Sequence, residues 1–127
     1  MTEGPGVVLD AGAFIQLERR NRTMVRLVQL FVERRTPLVT SAAVVAQVWR
    51  GGDDRQVPIA FLLRRAKVVD LSDAVARMLG RMLGVSGTSD PIDAHVVFLA
   101  RDHGWPVLTS DPADLLAIDP SVVVERI

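Results

Sequence analysis

Four aspartates are placed in this sequence so that they could take part in a chemical reaction. Asp10 ends an apolar run, Asp111 comes within two residues of another, and Asp90 and Asp93 are three residues apart at the predicted start of a helix. Carboxylates gathered in one place repel one another unless a cation neutralises them. Their oxygens are also the ligands that Mg²⁺ and Mn²⁺ prefer. If the fold brings them together, these aspartates predict a divalent metal site. A metal ion held there can orient a water for in-line attack on a phosphodiester.

Each of these aspartates also has an ordinary structural explanation. Asp90 precedes a proline, which is typical of a helix N-cap followed by proline at the first helical position. Asp93 would then lie in the first turn, where the helix dipole favours a negative charge. Asp10 and Asp111 could likewise cap helices. Taken singly, each aspartate leaves both explanations open, and only their joint placement favours a site.

Strands and helices are predicted to alternate along the chain. Apolar runs predict strands at 6–10, 38–40, 67–69, 107–109 and 122–124. Helical spacing, caps and breaks predict helices at 11–20, 23–35, 42–50, 57–65, 72–83, 90–104 and 111–116. This alternation predicts an α/β fold, a three-layer α/β/α domain around a parallel sheet of four to five strands. In an open parallel sheet, sites form at the carboxyl ends of the strands, where Asp10 and Asp111 are expected.

Composition narrows the possible classes of protein. The chain has 127 residues and a mass of 13.9 kDa, with 49% hydrophobic and 24% charged residues and a mean hydropathy of +0.26. These values indicate one folded domain and exclude a disordered chain. The absence of cysteine excludes disulfides, thiol catalysis and cysteine zinc sites, and two histidines are too few for a histidine-rich metal site. A formal net charge of zero does not by itself indicate a nucleic-acid partner.

The sequence carries no sign of a membrane or export segment. No apolar run approaches the roughly 18 residues that a membrane-spanning helix needs. The first six residues lack the basic segment and apolar run of a signal peptide. We therefore expect a cytoplasmic protein without a membrane partner.

Four segments together resemble a known family. They are Val-Val-Leu-Asp at 7–10, Ser-Ala-Ala-Val-Val-Ala-Gln-Val-Trp-Arg-Gly-Gly at 41–52, Asp-Pro-Ile-Asp-Ala-His-Val-Val at 90–97 and Val-Leu-Thr-Ser-Asp at 107–111. In order and spacing they resemble the PIN-domain ribonucleases, and specifically the toxins of VapBC-type (type II) toxin–antitoxin pairs. The resemblance covers essentially the whole chain, which implies a single PIN domain over residues 1–127.

The resemblance implies a function and partners. It implies an endoribonuclease toxin that depends on Mg²⁺ or Mn²⁺ and hydrolyses RNA phosphodiesters with a metal-activated water. It also implies a homodimer and a small antitoxin protein that fills the acidic groove with an arginine-bearing tail.

The resemblance also assigns site residues. Asp10 matches the metal ligand of the first strand, Asp93 the acid at the start of the late helix, and Asp111 the acid of the Thr-x-Asp position after the fourth strand. Asp90 is an additional acid that could hold a metal-bound water, and Asp114 is a weaker candidate of the same kind.

One position departs from the family pattern. Family members usually carry a glutamate in the segment before the Trp-Arg pair, and here that position is Gln47. An amide oxygen can accept a hydrogen bond or touch a metal, but it brings no charge and cannot act as a base. Two hypotheses follow: a nuclease with reduced activity, or a catalytically impaired PIN domain that serves as an RNA- or antitoxin-binding module. A third hypothesis, a receiver-like domain or a Mg²⁺-dependent phosphatase, is disfavoured. A receiver domain needs a lysine on a later strand, and the only lysine, Lys67, is at the third strand.

Several other residues have two possible roles. His95, two residues after Asp93, points to another helix face and is predicted to be packed or exposed rather than a ligand. Trp49 is predicted in the core or at a subunit contact, and Arg50 at a phosphate or a solvated helix end. The hydroxyls of Thr109 and Ser110 could fix a carboxylate or a water. A basic rim for RNA or a plain solvated face would explain the arginines at 19, 20, 22, 26, 34 and 35.

Overall fold

The computed structural model describes residues 5–127, and the first four residues of the segment examined for a signal peptide lie outside that range. The strands are β1 (Val7–Leu9), β2 (Leu38–Ser41), β3 (Ala66–Val69), β4 (Val107–Thr109) and β5 (Val124–Arg126). The helices are α1 (Ala11–Glu18), α2 (Arg22–Arg34), α3 (Ala42–Val48), α4 (Val57–Arg65), α5 (Asp73–Ser86), α6 (Pro91–His103) and α7 (Pro112–Ile118), with a 3₁₀ turn at Asp54–Gln56. Among the helices described, none has the length and apolar character needed to cross a bilayer.

The five strands form one parallel sheet in the order β3-β2-β1-β4-β5. Val8 of β1 lies opposite Val39 of β2 on one side and Val107 of β4 on the other. The chain moves outward from β1 through β2 to β3 and then crosses to β4 and β5, so the order reverses between β1 and β4. A crevice forms outside the carboxyl ends of the strands at such a reversal. Asp10 directly follows β1 at this crevice, and the α/β prediction is confirmed.

The central strands carry the core. Val8, Leu9 and Val107 are fully buried, as expected for apolar runs covered on both faces of a parallel sheet. Helix α1 packs against α2, α3 and α4, and α5 to α7 form a second group in which α6 touches β1, β2 and β4. The helix that carries Asp93 is therefore packed directly on the three strands nearest the crevice.

Local chemistry explains where most helices begin and end. The Asp90 carboxylate accepts hydrogen bonds from the first turn of α6, and Gly104 ends the helix in a left-handed conformation. Ser72 caps α5 as predicted, although α5 continues past the predicted end to Ser86 before Gly87. Asp111 occupies the N-cap position of α7, but its side chain makes no capping hydrogen bond to this helix, which disfavours the structural explanation of this residue.

Helices α1 and α3 end earlier than predicted because the backbone after each leaves the helical conformation. Helix α1 ends at Glu18, and Arg20 adopts the left-handed conformation with φ of 58°. Helix α3 ends at Val48 because Trp49 is already extended, with φ −84° and ψ 126°. Arg19 and Arg20 therefore lie in a turn, whereas Trp49 and Arg50 lie in irregular backbone.

The last strand lies two residues later than predicted. The backbone N–H of Val122 donates to the carbonyl of Asp119, so this residue belongs to a turn, and its side chain is buried there. Val124 lies opposite Val107 and starts β5. The apolar side chain of Val122 reflects a buried turn rather than a strand.

Gly12, in the first turn of α1, lies against the residue that follows β4. A Cβ at this position would lie 2.7 Å from the backbone nitrogen of Ser110 and would also clash with its Oγ. The absence of a side chain therefore lets α1 begin directly beside the end of β4.

Replacing Gly12 should be costly for this reason. We expect Gly12→Ala to lower the free energy of unfolding by about 1–3 kcal/mol, as overpacking does, and thermal denaturation measures the loss. Gly80→Ala in α5 is the matched control, since a Cβ there meets nothing within 4 Å. It should raise stability by about 0.5–1 kcal/mol. A Gly12→Ala protein as stable as wild type would show that α1 does not need this close approach.

Candidate functional site

Asp10 is the best-fixed acid of the crevice. It is 7% exposed. One carboxylate oxygen accepts from the backbone N–H of Ala11 at 2.8 Å, and the other accepts from the Thr109 hydroxyl at 2.8 Å. The hydroxyl oxygen of Thr109 in turn accepts from the backbone N–H of Asp111 at 3.0 Å. One threonine therefore joins the ends of β1 and β4 and orients the Asp10 carboxylate.

The start of α6 supplies two further acids. One oxygen of exposed Asp90 accepts from the N–H groups of Ile92 at 2.8 Å and of Asp93 at 3.2 Å. The side chain of Asp93 is only partly exposed. A recess of about 290 Å³ lies beside them, and its lining includes Asp90, Asp93 and Asp114.

The charges of these aspartates act on one another. Burial is the largest cause of a raised pKa at Asp93, and repulsion from the charges of Asp90, Asp10, Asp114 and Asp111 adds to it, so that together they raise this pKa to about 7. Burial also raises the pKa of Asp10, against the lowering effect of its hydrogen bonds, with added repulsion from Asp111 and Asp90. Like charges in a poorly solvated place favour the protonated form. The fold therefore brings all five acids within electrostatic reach.

Within residues 5–127, no basic side chain forms an ion pair with the acidic cluster, which consists of Asp10, Asp90, Asp93, Asp111 and Asp114. Over residues 5–127, the ion pairs are Arg55–Asp53, Arg77–Asp73 and Arg101–Asp119, and none involves a member of the cluster. Hard oxygen donors with unbalanced negative charge suit Mg²⁺ or Mn²⁺. In the same range no three acidic or histidine side chains lie close enough to form a complete metal cage. A bound cation would have to draw the carboxylates inward.

Gln47 has no fixed partner in the described part of the chain. It lies in the last turn of α3 with its side chain exposed, and no hydrogen bond there joins its amide to an aspartate. Its role at the metal site therefore stays a prediction.

His95 packs inside the protein, against a partner that sequence patterns do not predict. It is fully buried, and its Nδ1 lies 2.6 Å from the hydroxyl of Ser41. Burial lowers the pKa of this histidine. Because Ser41 also caps α3, the hydrogen bond joins the start of α3 to α6 near Asp93. Ser41 could be recognised from the sequence as a cap but not as the partner of a histidine 54 positions away.

The structure also bears on the predictions for Ser110, Trp49 and Arg50. The buried Oγ of Ser110 has no hydrogen-bond partner within residues 5–127, so it does not fix a carboxylate. Trp49 is 41% exposed, which excludes the core position. Arg50 donates to the carbonyls of Ala46 and Trp49 at the end of α3. The six arginines in and beside α2 make no ion pair within residues 5–127. This fits both a basic rim for RNA and a plain solvated face.

Comparisons with known proteins agree with this architecture. The family model described as PIN domain matches residues 7–119. No curated protein matches the chain in sequence.

Solved structures share the fold at low sequence identity. VapBC2 from Rickettsia felis, bound to a DNA fragment from its promoter, is 15% identical with a TM-score of 0.69, over 95% of this chain and 98% of that chain. FitAB bound to the IR36 DNA fragment is 18% identical with a TM-score of 0.67, over 94% of each chain. PAE2754 from Pyrobaculum aerophilum is 18% identical with a TM-score of 0.66, over 94% of this chain and 89% of that chain. At these identities the likeness shows the fold.

The charge on Asp93 should make the stability of the metal-free protein depend on pH. Its pKa is about 7 in the folded chain against an ordinary value of 3.8. Between these values the folded state holds a proton that the unfolded state has lost, so stability falls as the pH rises through this range and levels off above it. We expect the melting temperature in EDTA to fall from pH 4 to pH 7 in wild type, and to fall less in Asp93→Asn.

Asp102→Asn is the matched control, because this residue is exposed on the same helix and makes no pKa contribution to the cluster. It should keep the wild-type pH dependence. At pH 8, Mg²⁺ should raise the melting temperature of wild type more than that of Asp93→Asn. Identical pH dependence in all three proteins would show that Asp93 is not under the repulsion described.

Proposed function

The chain belongs to the PIN domain family, and we propose that it is a Mg²⁺- or Mn²⁺-dependent endoribonuclease that acts as the toxin of a toxin–antitoxin pair. PIN domains are in general nucleases. The observation that carries the proposal is the acidic cluster at the carboxyl edge of the sheet, in which burial and like charge raise the pKa of Asp93 to about 7. Such a cluster costs stability unless a cation neutralises it.

Asp10, Asp93 and Asp111 would hold the ion, with Asp90 in support. When bound, a divalent ion supplies positive charge to the scissile phosphate and lowers the pKa of a water nucleophile. The chain's own contribution is orientation. The hydrogen bonds from Thr109 and Ala11 fix both oxygens of Asp10, and the same threonine holds the backbone of Asp111.

The partners form part of the same proposal. The fold likeness to VapBC2 and FitAB supports a small antitoxin protein as partner. The acidic cluster has no basic residue of its own chain in ion-pair distance over residues 5–127, so an arginine-bearing tail of the antitoxin would complement it. We also propose that the protein is a homodimer located in the cytoplasm.

Metal-dependent cleavage of RNA tests the proposal. Purified antitoxin-free protein is incubated with total RNA and defined tRNAs in Mg²⁺, Mn²⁺ or EDTA. We expect cleavage only with metal, and a loss of at least about 100-fold in Asp111→Asn, since even residues that only orient metal ligands are worth 10–100-fold. Asp102→Asn is the control and should cleave like wild type.

Two other results have defined meanings. RNA that is bound by folded protein but cleaved with neither metal would favour the catalytically impaired binding module. Absence of both binding and cleavage would contradict both functions.

The amide at position 47 provides a gain-of-function test. We expect Gln47→Glu to raise Mg²⁺ affinity or the cleavage rate on the order of tenfold, because the charge of the ligands tunes the affinity for such ions. Calorimetric titration with Mg²⁺ and single-turnover cleavage measure the two effects. Gln29→Glu adds the same charge at an exposed position of α2 and should change neither. A Gln47→Glu protein that gains in neither measurement would remove position 47 from the metal site.

A further inference from the structure

Trp49 is a tryptophan with an exposed side chain. It ends α3 and is 41% exposed. The other tryptophan, Trp105, packs on His103 with ring centroids 4.6 Å apart and lies against Gly6. A single exposed apolar residue is common on protein surfaces, so the surroundings of Trp49 decide whether it has a use.

A buried glutamine fixes the backbone on both sides of this tryptophan. Gln56 is 5% exposed. Its Oε1 accepts from the N–H groups of Arg50 at 2.7 Å and Gly51 at 3.3 Å. Its Nε2 donates to the carboxylate of Glu18 and, at 3.4 Å, to the carbonyl of Val48. The bond to Val48 satisfies a carbonyl that the end of α3 leaves free, and the bonds to Arg50 and Gly51 hold the backbone that directly follows the exposed ring.

Arg50 places a positive charge beside the ring. Its Nη1 donates to the carbonyls of Ala46 at 3.1 Å and Trp49 at 2.9 Å. Among the ion pairs of residues 5–127 none uses this guanidinium. The remaining donors of its fork are therefore available to a phosphate.

The following glycines leave one side of the ring open. Gly51 and Gly52 have φ of 76° and 70°, which favours glycine. A Cβ on Gly51 would lie 3.9 Å from Nε1 of Trp49, so a longer side chain would cover that edge of the indole. The same loop contains two acids. Asp53 caps the 3₁₀ turn and pairs with Arg55 at 3.7 Å, and Asp54 is the first residue of that turn.

The tryptophan lies one short helix away from the acidic cluster. The first residue before α3, Ser41, is hydrogen-bonded to His95, two positions after Asp93 on α6. Helix α3 has seven residues and is therefore about 10 Å long. A strand of RNA whose phosphate lies at the aspartates could bring a neighbouring base to Trp49.

We propose that Trp49 and Arg50 form a stacking platform that binds one base of single-stranded RNA and its phosphate beside the acidic cluster. Aromatic side chains bind unpaired bases by stacking, and arginine binds the adjoining phosphate. The proposal rests on the proposed ribonuclease function and names the form of RNA that the site takes. Base-paired RNA does not offer a free base face to this ring.

Binding without cleavage tests the platform. A fluorescein-labelled single-stranded oligoribonucleotide of mixed sequence is titrated in EDTA and followed by anisotropy. We expect Trp49→Ala to weaken binding about tenfold or more, as loss of a stacked base does, while Trp49→Phe retains most of the affinity. The matched control Trp105→Phe should bind like wild type. The same strand annealed to its complement should bind more weakly to wild type and should not distinguish Trp49→Ala from it.

Fluorescence gives an independent measurement. In Trp105→Phe the sole tryptophan is Trp49, and an unlabelled oligoribonucleotide should quench it. Circular dichroism melting of each variant checks that the fold is intact. If Trp49→Ala does not fold, the quenching measurement still tests the platform, because it leaves position 49 unchanged.

Three results would overturn the platform, and each has a different meaning for the protein. Metal-dependent cleavage by wild type, together with unquenched Trp49 and unchanged affinity in Trp49→Ala, would overturn the platform and leave the nuclease intact. A change of oligomeric state in Trp49→Ala without a change in RNA affinity would make Trp49 a contact between copies instead, and would also overturn it. Wild type that neither binds nor cleaves RNA would refute the ribonuclease function itself, and the platform with it.

Discussion

Carboxylates at one edge of the sheet repel one another, and the fold holds them together despite this repulsion. The formal net charge of the chain is zero, yet five aspartates act on one another here without a basic neighbour in ion-pair distance over residues 5–127. Burial amplifies the repulsion and raises the pKa of Asp93 to about 7. The starts of α1 and α6 offset part of this cost, because the amino end of a helix favours negative charge.

The surrounding fold holds these charges where they are unfavourable. Thr109 joins Asp10 to the backbone of Asp111, and Gly12 lets α1 begin directly against the residue after β4. Functional sites commonly cost stability that the rest of the structure supplies. A divalent cation would convert this unfavourable arrangement into a binding site, which links the fold to the proposed chemistry.

Local patterns in the sequence were sufficient for most of the elements. The apolar runs identified the buried strands, and Asp90 before proline marked the start of α6, because strand burial and helix capping depend on neighbouring residues. Partners distant in the sequence could not be predicted. The bonds Thr109–Asp10, His95–Ser41 and Gln56–Glu18 join positions 99, 54 and 38 apart, and only the packed fold brings them together. For the same reason the sequence placed the acids at one edge but could not show that Asp111 leaves its helix uncapped or that Trp49 stays exposed.

NMR titration of the aspartate side-chain carbons, in EDTA and in saturating Mg²⁺, measures the repulsion between these carboxylates. We predict that Asp93 titrates with a pKa of about 7 without metal and far lower with Mg²⁺, because the cation replaces repulsion by attraction. An ordinary pKa for Asp93 in EDTA, or one that Mg²⁺ leaves unchanged, would contradict a cation site built on carboxylate repulsion.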